Sequence, residues 1–465
     1  TKNRIMTLPQ LYDIYHRHPV VTTDTRHCPE GSLFFALRGD KFDGNAFALD
    51  ALANGCAYAV VDDAEVAAKD ARCLFVDDVL SILQELAAHH RRVLDTPVLQ
   101  ITGTNGKTTT KELVAAVLGE KFKVLYTEGN LNNHIGVPLT LLRLRPEHDF
   151  AVIETGANHP GEIAQLSKIV QPNCGLITNV GKAHLEGFGS FEGVVKTKTE
   201  LYRYLAQRNT EITETLITGE TRFKPDAVPF FVFVNGDNEF LMPHVAECGL
   251  PSLTYGSPGH GYTIEGEVVD CTPFLTLRWR KADGAWHKVS TQLVGAYNID
   301  NVLAAVLVGL CFKVPLTAID HALQHYAPHN NRSEYRKTEH NSLIIDAYNA
   351  NLSSMQAALT SFRQTTAAHK MMILGDMREL GAASADAHAE VLRQATTCGC
   401  EEIWLVGECF TAAASALALP PAVKVRTFAN VEAVENELLS HPVSDHLILI
   451  KGSNGTRLFR LPEFL

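Results

Sequence analysis

The chain has 465 residues, 46% of them apolar and 20% charged, with a formal net charge of −11. That length is too great for a single hydrophobic core and implies two to four domains, in a composition ordinary for a globular protein. The negative balance argues against a general nucleic-acid binder, which needs a basic surface, and leaves room only for a local basic pocket.

The ten cysteines are scattered, and Cys398 and Cys400 are the nearest approach to a pair. Two Cys-x-x-Cys units are lacking, so no structural zinc is expected, and reduced, mostly buried thiols of a cytosolic protein are. No basic-then-apolar leader opens the chain, and no apolar run approaches a membrane span; the longest, residues 303–312, reads as a buried helix. The expectation is a cytoplasmic protein without membrane insertion.

Up to about residue 95, short strands (32–37, 58–61) mix with helical stretches, and Pro97 then punctuates the chain. From Val98 onward, strand-like runs at 98–102, 123–127, 150–154, 175–178 and 230–234 alternate with helices. Pro138 and Pro160 fall near helix first turns, where a missing N–H costs little. Such alternation predicts a mostly parallel sheet covered on both faces. Residues 254–293 break the rhythm and read as three or four antiparallel strands, followed by a helix from about Asn298. Near Tyr326 a second α/β unit begins, with strands at 343–345, 371–374, 403–406, 423–425 and 447–450. Its rhythm is Rossmann-like, but it lacks Gly-x-Gly-x-x-Gly, which disfavours a dinucleotide site.

The strongest chemical signal is Thr102-Gly103-Thr104-Asn105-Gly106-Lys107-Thr108-Thr109, after an apolar strand and opening a helix. Backbone N–H groups of such a loop point at an anion. Lys107 would reach the β- and γ-phosphates of ATP, and Thr108 would ligate Mg²⁺. The spacing is Gly-x-x-Gly-Lys-Thr rather than the general phosphate-loop pattern. A metal-holding carboxylate is expected at a neighbouring strand end, and Glu154 supplies one. His184, on a loop after strand 175–178, has the context of a metal ligand. Lys196 and Lys198 lie on a helix that Ser190 would cap, and on spacing alone they read as a solvated face. Asn298 and Asn301 fit either capping or contact with a base. Asp346 suits a ribose or a metal-bound phosphate, and Arg332 suits a phosphate.

In order, the chain shows Asp24-Thr25-Arg26, Gly31 to Leu37, Phe42-Asp43-Gly44, Gly103 to Thr109 and Gly129-Asn130-Leu131-Asn132-Asn133-His134. Glu154-Thr155-Gly156, Ala183-His184-Leu185-Glu186-Gly187, Asn298-x-x-Asn301, Asp346-Ala347-Tyr348-Asn349-Ala350-Asn351 and Leu374-Gly375-Asp376-Met377-Arg378-Glu379-Leu380-Gly381 follow. Together these motifs resemble the Mur ligase family of peptidoglycan synthesis over nearly the whole length. The Asn-x-Asn-Asn and Leu-Gly-Asp-Met segments look like the member that adds D-Ala-D-Ala.

The resemblance implies an α/β protein of three domains: residues 1–95 for a UDP-sugar, 96–325 as a P-loop ATPase with antiparallel add-on strands, and 326–465 as a Rossmann-like lid. It implies an ATP-dependent amide ligase, acting through an acyl phosphate on UDP-N-acetylmuramoyl-tripeptide and D-Ala-D-Ala. A monomer is expected. Lys198 would carry a carbamate and hold one of two Mg²⁺ ions with His184, and Thr108 and Glu154 would hold the other. Gly103 to Thr109, Asn298, Asn301, Arg332, Asp346 and Tyr348 would bind ATP, and Lys107, His184, Lys198, Arg332 and Asp346 would be catalytic. Thr25, Arg26, Asn130, Asn132 and Asn133 would meet the substrate. Two alternatives are a folylpolyglutamate synthase-like ligase of the same superfamily and a P-loop switch ATPase with a protein partner. Residues 209–229 form a segment without functional account, and 454–457 match the family loosely.

Overall fold

The computed structural model describes residues 5–181, 185–216, 230–282, 284–329 and 331–465. His184 and residues 217–229 of the unexplained segment lie outside them. The chain forms two compact units: Thr1–Ile101, Phe122–Gly156 and Ile163–Gly175 make the first, and Thr102–Lys121, Ala157–Glu162 and Leu176–Leu465 the second.

The first unit opens with helix α1 (Leu8–Arg17) and a parallel sheet, in order β1 (Val21–Thr22), β2 (Leu33–Phe35), β3 (Tyr58–Val61) and β4 (Cys73–Phe75). Helix α2 (Val79–Leu94) buries Val79, Leu83, Leu86 and Ala87, one stripe at helical spacing, and the Asp78 carboxylate caps it by accepting from the Ser81 N–H. Then β5 (Val98–Thr102) and β6 (Val124–Tyr126) flank β7 (Phe150–Glu154), all parallel, with Ile101 opposite Glu154. Every residue of β5 and β7 is buried, as strands covered on both faces require. Pro138 falls in the first turn of Gly136–Leu141, whereas Pro160 stands before Glu162–Val170 rather than inside it.

The chain passes between the units within β5 and again within β8 (Cys174–Ile177). In the second unit α3 (Lys107–Gly119) follows the glycine loop, and α4 (Phe191–Lys198) starts at Ser190, whose Oγ accepts from the Gly193 N–H as expected. Strands β9 (Phe231–Asn235) and β10 (Ser252–Gly256) pair in parallel through the crossover helix α5 (Leu241–Glu247). This corrects part of the antiparallel expectation: β10 belongs to the parallel run. Only β11 (Ile264–Cys271), β12 (Phe274–Lys281) and β13 (His287–Val294) form an antiparallel meander. Helix α6 (Ile299–Cys311) is buried from Asn301 to Gly309, so the apolar run 303–312 is a core helix. It packs on α3, and a Cβ at Gly309 would come within 2.5 Å of Val117.

The C-terminal sheet has the order β14 (Glu334–Lys337), β15 (Ser342–Asp346), β19 (Leu447–Lys451), β16 (Lys370–Gly375), β17 (Glu402–Val406) and β18 (Lys424–Phe428). Only the edge strand β14 is antiparallel. Helices α7 (Leu352–Gln364) and α8 (Glu408–Ala416) belong to this region. No helix of the described residues is long and apolar enough to cross a membrane. All ten cysteines are free, but only five are buried, so the thiols are less uniformly internal than expected.

Candidate active site

The glycine loop is built where β5 ends. Gly103 and Gly106 have φ of 142° and 76°, in the region that favours glycine. Each is also pressed by a neighbour: a Cβ would lie 2.0 Å from Thr178 Oγ1 at Gly103 and 2.5 Å from Asn301 Oδ1 at Gly106. The loop is pinned along one side. The Thr104 N–H donates to the Asn179 carbonyl and the Asn105 N–H to Asn179 Oδ1, both at 3.0 Å. Thr178 Oγ1 donates to the Asn105 carbonyl at 2.6 Å, and the Gly181 N–H donates to Thr104 Oγ1 at 3.0 Å. Helix α3 starts at Lys107, so its first-turn N–H groups have no acceptor within the helix, which suits an anion. Lys107 folds back, its Nζ donating to the carbonyls of Gly103 and Thr104 at 3.0 Å each. Thr108 and Thr109 are buried in the same turn.

A chain of amides supports the loop from behind. Thr110 Oγ1 donates to Asn301 Oδ1 (2.9 Å), Asn301 Nδ2 to Asn298 Oδ1 (2.8 Å), and Asn298 Nδ2 to the Val294 carbonyl (2.8 Å). Asn298 precedes α6 yet its side chain makes no capping bond, which sets aside the capping alternative. Its two polar atoms instead tie α6 to the end of β13, and Asn301 carries the link on to α3. On the far side of the loop, Asn105 Nδ2 donates to Ser353 Oγ and Asn351 Nδ2 to Asn105 Oδ1, each at 2.8 Å. Thr178, Asn179, Asn351 and Ser353 therefore position the loop, and none was singled out from the sequence. Asn179 ends a strand-like run and Asn351 closes a named motif, but neither position reveals its partner.

Lys198 departs most from its reading as a solvated residue. Residues two apart on a helix point about 200° apart, and here Lys196 is exposed while Lys198 is 2% exposed. Lys198 Nζ donates to the Ala157 carbonyl at 3.3 Å and lies 5.4 Å from the centre of the Phe188 ring. Burial drives its pKa down to about 7; the charge of Lys107 adds to the effect, and Glu162 and Glu200 oppose it.

Arg332 stacks on Tyr348, its guanidinium carbon 3.9 Å from the ring centre. Asp346, at the end of β15, receives the ammonium of buried Lys451 at 2.5 Å. Asp376 of the Leu-Gly-Asp-Met motif accepts from the N–H groups of Cys409 and Phe410, capping α8.

In the first unit Glu154 is fully buried and accepts from Asn132 Nδ2 at 2.8 Å, and its N–H donates to Thr127 Oγ1 at 2.9 Å. Asn133 Oδ1 accepts from the N–H groups of Ile135 and Gly136, while Asn130 is exposed. Thr25 is half-buried, and the Arg26 guanidinium grips Asp24 at 2.7–3.2 Å, which lowers the Asp24 pKa to about 2.

Three family models match the chain: "Mur ligase family, catalytic domain" over residues 19–91, "Mur ligase middle domain" over 101–309, and "Mur ligase, glutamate ligase domain" over 331–454. The UDP-N-acetylmuramoyl-tripeptide–D-alanyl-D-alanine ligase of Escherichia coli K12 is 35% identical over 424 residues, covering 87% of this chain and 86% of the relative. The ligase of the same name from Bacillus subtilis 168 is 34% identical over 377 residues, 80% of this chain and 76% of the relative. A crystal structure of MurF from Acinetobacter baumannii superposes with a TM-score of 0.81 at 30% identity, covering 100% of this chain and 99% of that one.

Proposed function

Because the chain belongs to the Mur ligase family, we propose that it joins D-Ala-D-Ala to UDP-N-acetylmuramoyl-tripeptide at the expense of ATP, in peptidoglycan precursor synthesis. The observation that carries this reading is the 35% identity to the Escherichia coli ligase over 86% of that protein. The glycine loop, with Lys107 at its helix start, supports the ATP half of the reaction.

The tripeptide's terminal carboxylate attacks the γ-phosphorus and ADP leaves, forming an acyl phosphate. The amine of D-Ala-D-Ala adds to that carbonyl, loses a proton, and phosphate departs from the tetrahedral intermediate, leaving the new amide. The chain's contribution is positioning and charge. Gly103 to Thr109 cradle the phosphates. Lys107, which donates to its own loop carbonyls, turns to the transferring group. Arg332 and Asp346, with Tyr348, contact the nucleotide, and Asn298 with Asn301 holds the adenine side. Thr25 and Arg26 contact the UDP moiety, and Asn130, Asn132 and Asn133 the peptide end.

The donor chemistry fits Mg²⁺, which prefers hard oxygen ligands: a buried carboxylate at Glu154, a hydroxyl at Thr108 and, at Lys198, an amine able to become a carbamate. Mg²⁺ would neutralise phosphate charge. With a pKa near 7, a large fraction of Lys198 is a neutral amine at neutral pH; addition of CO₂ with release of a proton would convert it to a carbamate anion, which with His184 would hold a metal ion. We further propose domains at 1–95, 96–325 and 326–465 and a cytoplasmic setting, where ATP and the nucleotide-linked substrate meet.

Phosphate release from purified protein with ATP, Mg²⁺ and tripeptide should begin only when D-Ala-D-Ala is added. Release with glutamate as acceptor, or with no acceptor at all, would favour the folylpolyglutamate synthase-like or switch-ATPase alternatives.

A further inference from the structure

Three polar side chains gather at one edge of the C-terminal sheet. His369, Glu401 and His446 each stand one residue before a strand, β16, β17 and β19 respectively. These three strands are neighbours in the order β19-β16-β17, with Lys370 opposite Leu447 and Met371 opposite Glu402. The Leu447 N–H donates to the His369 carbonyl at 2.9 Å and the Glu401 N–H to the Lys370 carbonyl at 3.0 Å, which fixes the three in a row. Adjacent strands lie about 4.8 Å apart, and one ligand-type atom from each of the three side chains lies within 4.8 Å of the other two. This edge is at the amino ends of the strands. Asp346 is at a carboxyl end, so the cluster is separate from the proposed nucleotide site.

We propose that His369, Glu401 and His446 bind a divalent transition cation, with Zn²⁺ the best match to two imidazoles and a carboxylate. His446 Nδ1 lies 2.6 Å from the Ser444 carbonyl, which can only accept, so this nitrogen carries the proton and Nε2 presents its lone pair. That Nε2 is 3.9 Å from Glu401 Oε2. His369 Nδ1 donates to Glu401 Oε1 at 2.7 Å, and a bound cation would take the place of that proton. A single histidine would satisfy the carboxylate as an exposed ion pair of small worth; a shared cation accounts for two imidazoles converging on it. Zinc-to-nitrogen bonds of about 2.1 Å place tetrahedral ligands roughly 3.4 Å apart, so His446 must draw in while the His369–Glu401 pair, now at 2.7 Å, opens to admit the ion. The side chains are 51%, 56% and 23% exposed in sequence order, free enough to do so and reachable from solvent. A cleft of about 450 Å³ bordered by His369, His446, His340 and Asp445 leaves room for a water or an anion as fourth ligand. Mg²⁺ prefers six oxygens and does not compete here.

The test uses the full chain, stripped with chelator and titrated with Zn²⁺ in saturating Mg²⁺, comparing wild type with Glu401→Gln and with the double variant His369→Ala/His446→Ala. The other histidines among the 20 contribute equally to all three proteins. One tight equivalent is expected in wild type, weakened by more than about tenfold in either variant, since even an outer ligand partner is worth that much. Anomalous diffraction at the zinc edge should place a peak between the three side chains, a readout that does not depend on the variants folding. Superimposable isotherms, or a wild-type map with no peak there, would overturn the site.

Discussion

The loops after β5 and β15 both leave the carboxyl end of a buried parallel strand, yet they use opposite parts of the chain. After β5, two glycines at positive φ expose backbone, and the one charged side chain, Lys107, rests on carbonyls of its own loop. After β15 there is no glycine, and the side chains are committed. Asp346 is paired with Lys451, Arg332 lies on Tyr348, and Asn351 caps α7 while bonding Asn105. The first loop is shaped by its backbone, whereas the second is held by side chains woven into the fold. Mutations after β15 should therefore cost stability as well as activity, and mutations of the loop after β5 mainly activity.

The largest effect is expected at β15. Asp346→Ala leaves the ammonium of Lys451, 1% exposed, without its carboxylate, and stability should fall by about 3–5 kcal/mol in a denaturant titration. A loss under about 1 kcal/mol would show that this pair contributes little to the fold. Next, Lys107→Ala should lower kcat by roughly 10²–10³-fold with little change in Tm; a collapse of Tm instead would erase the contrast.

Lys198 gives the comparison a pH axis. Its folded pKa, about 7, lies below the 10.5 of a solvated lysine. Between these values the unfolded chain binds a proton that the folded chain does not, so stability falls as pH drops from 10.5 toward 7 and levels off below. In CO₂-free buffer without Mg²⁺ the slope attributable to this residue should approach about 1.4 kcal/mol per pH unit. Lys198→Met should abolish that component, and an unchanged slope would mean the amine is solvated. The smallest effect is expected for Asn351→Ala, which removes a cap accepting from the Ser354 N–H at 2.9 Å and should cost about 1 kcal/mol.

Local chemistry was legible in the chain itself. The glycine loop, the buried strands β5 and β7, the Ser190 cap and the core helix α6 all depend on neighbours within a few residues. Their periodicity and glycine placement therefore declare them. Motif order likewise pointed to the Mur ligase family, which the family models match in three stretches.

What depended on distant partners was not legible. Lys-x-Lys-x-Glu on a helix has the same pattern whether solvated or buried, and it takes contacts with Ala157 and Phe188, from other segments, to mark Lys198 as enclosed. An amide at Asn298 reads equally as a cap until its bonds to Asn301 and Val294 are seen. The direction of β10 was decided by the helix that carries the chain back, not by its own alternation. Sequence by itself determined the α/β rhythm and the glycine loop, because backbone conformation and strand burial are encoded residue by residue. Tertiary structure alone decided which polar groups are spent on the fold, because burial and pairing are properties of the partners a residue meets.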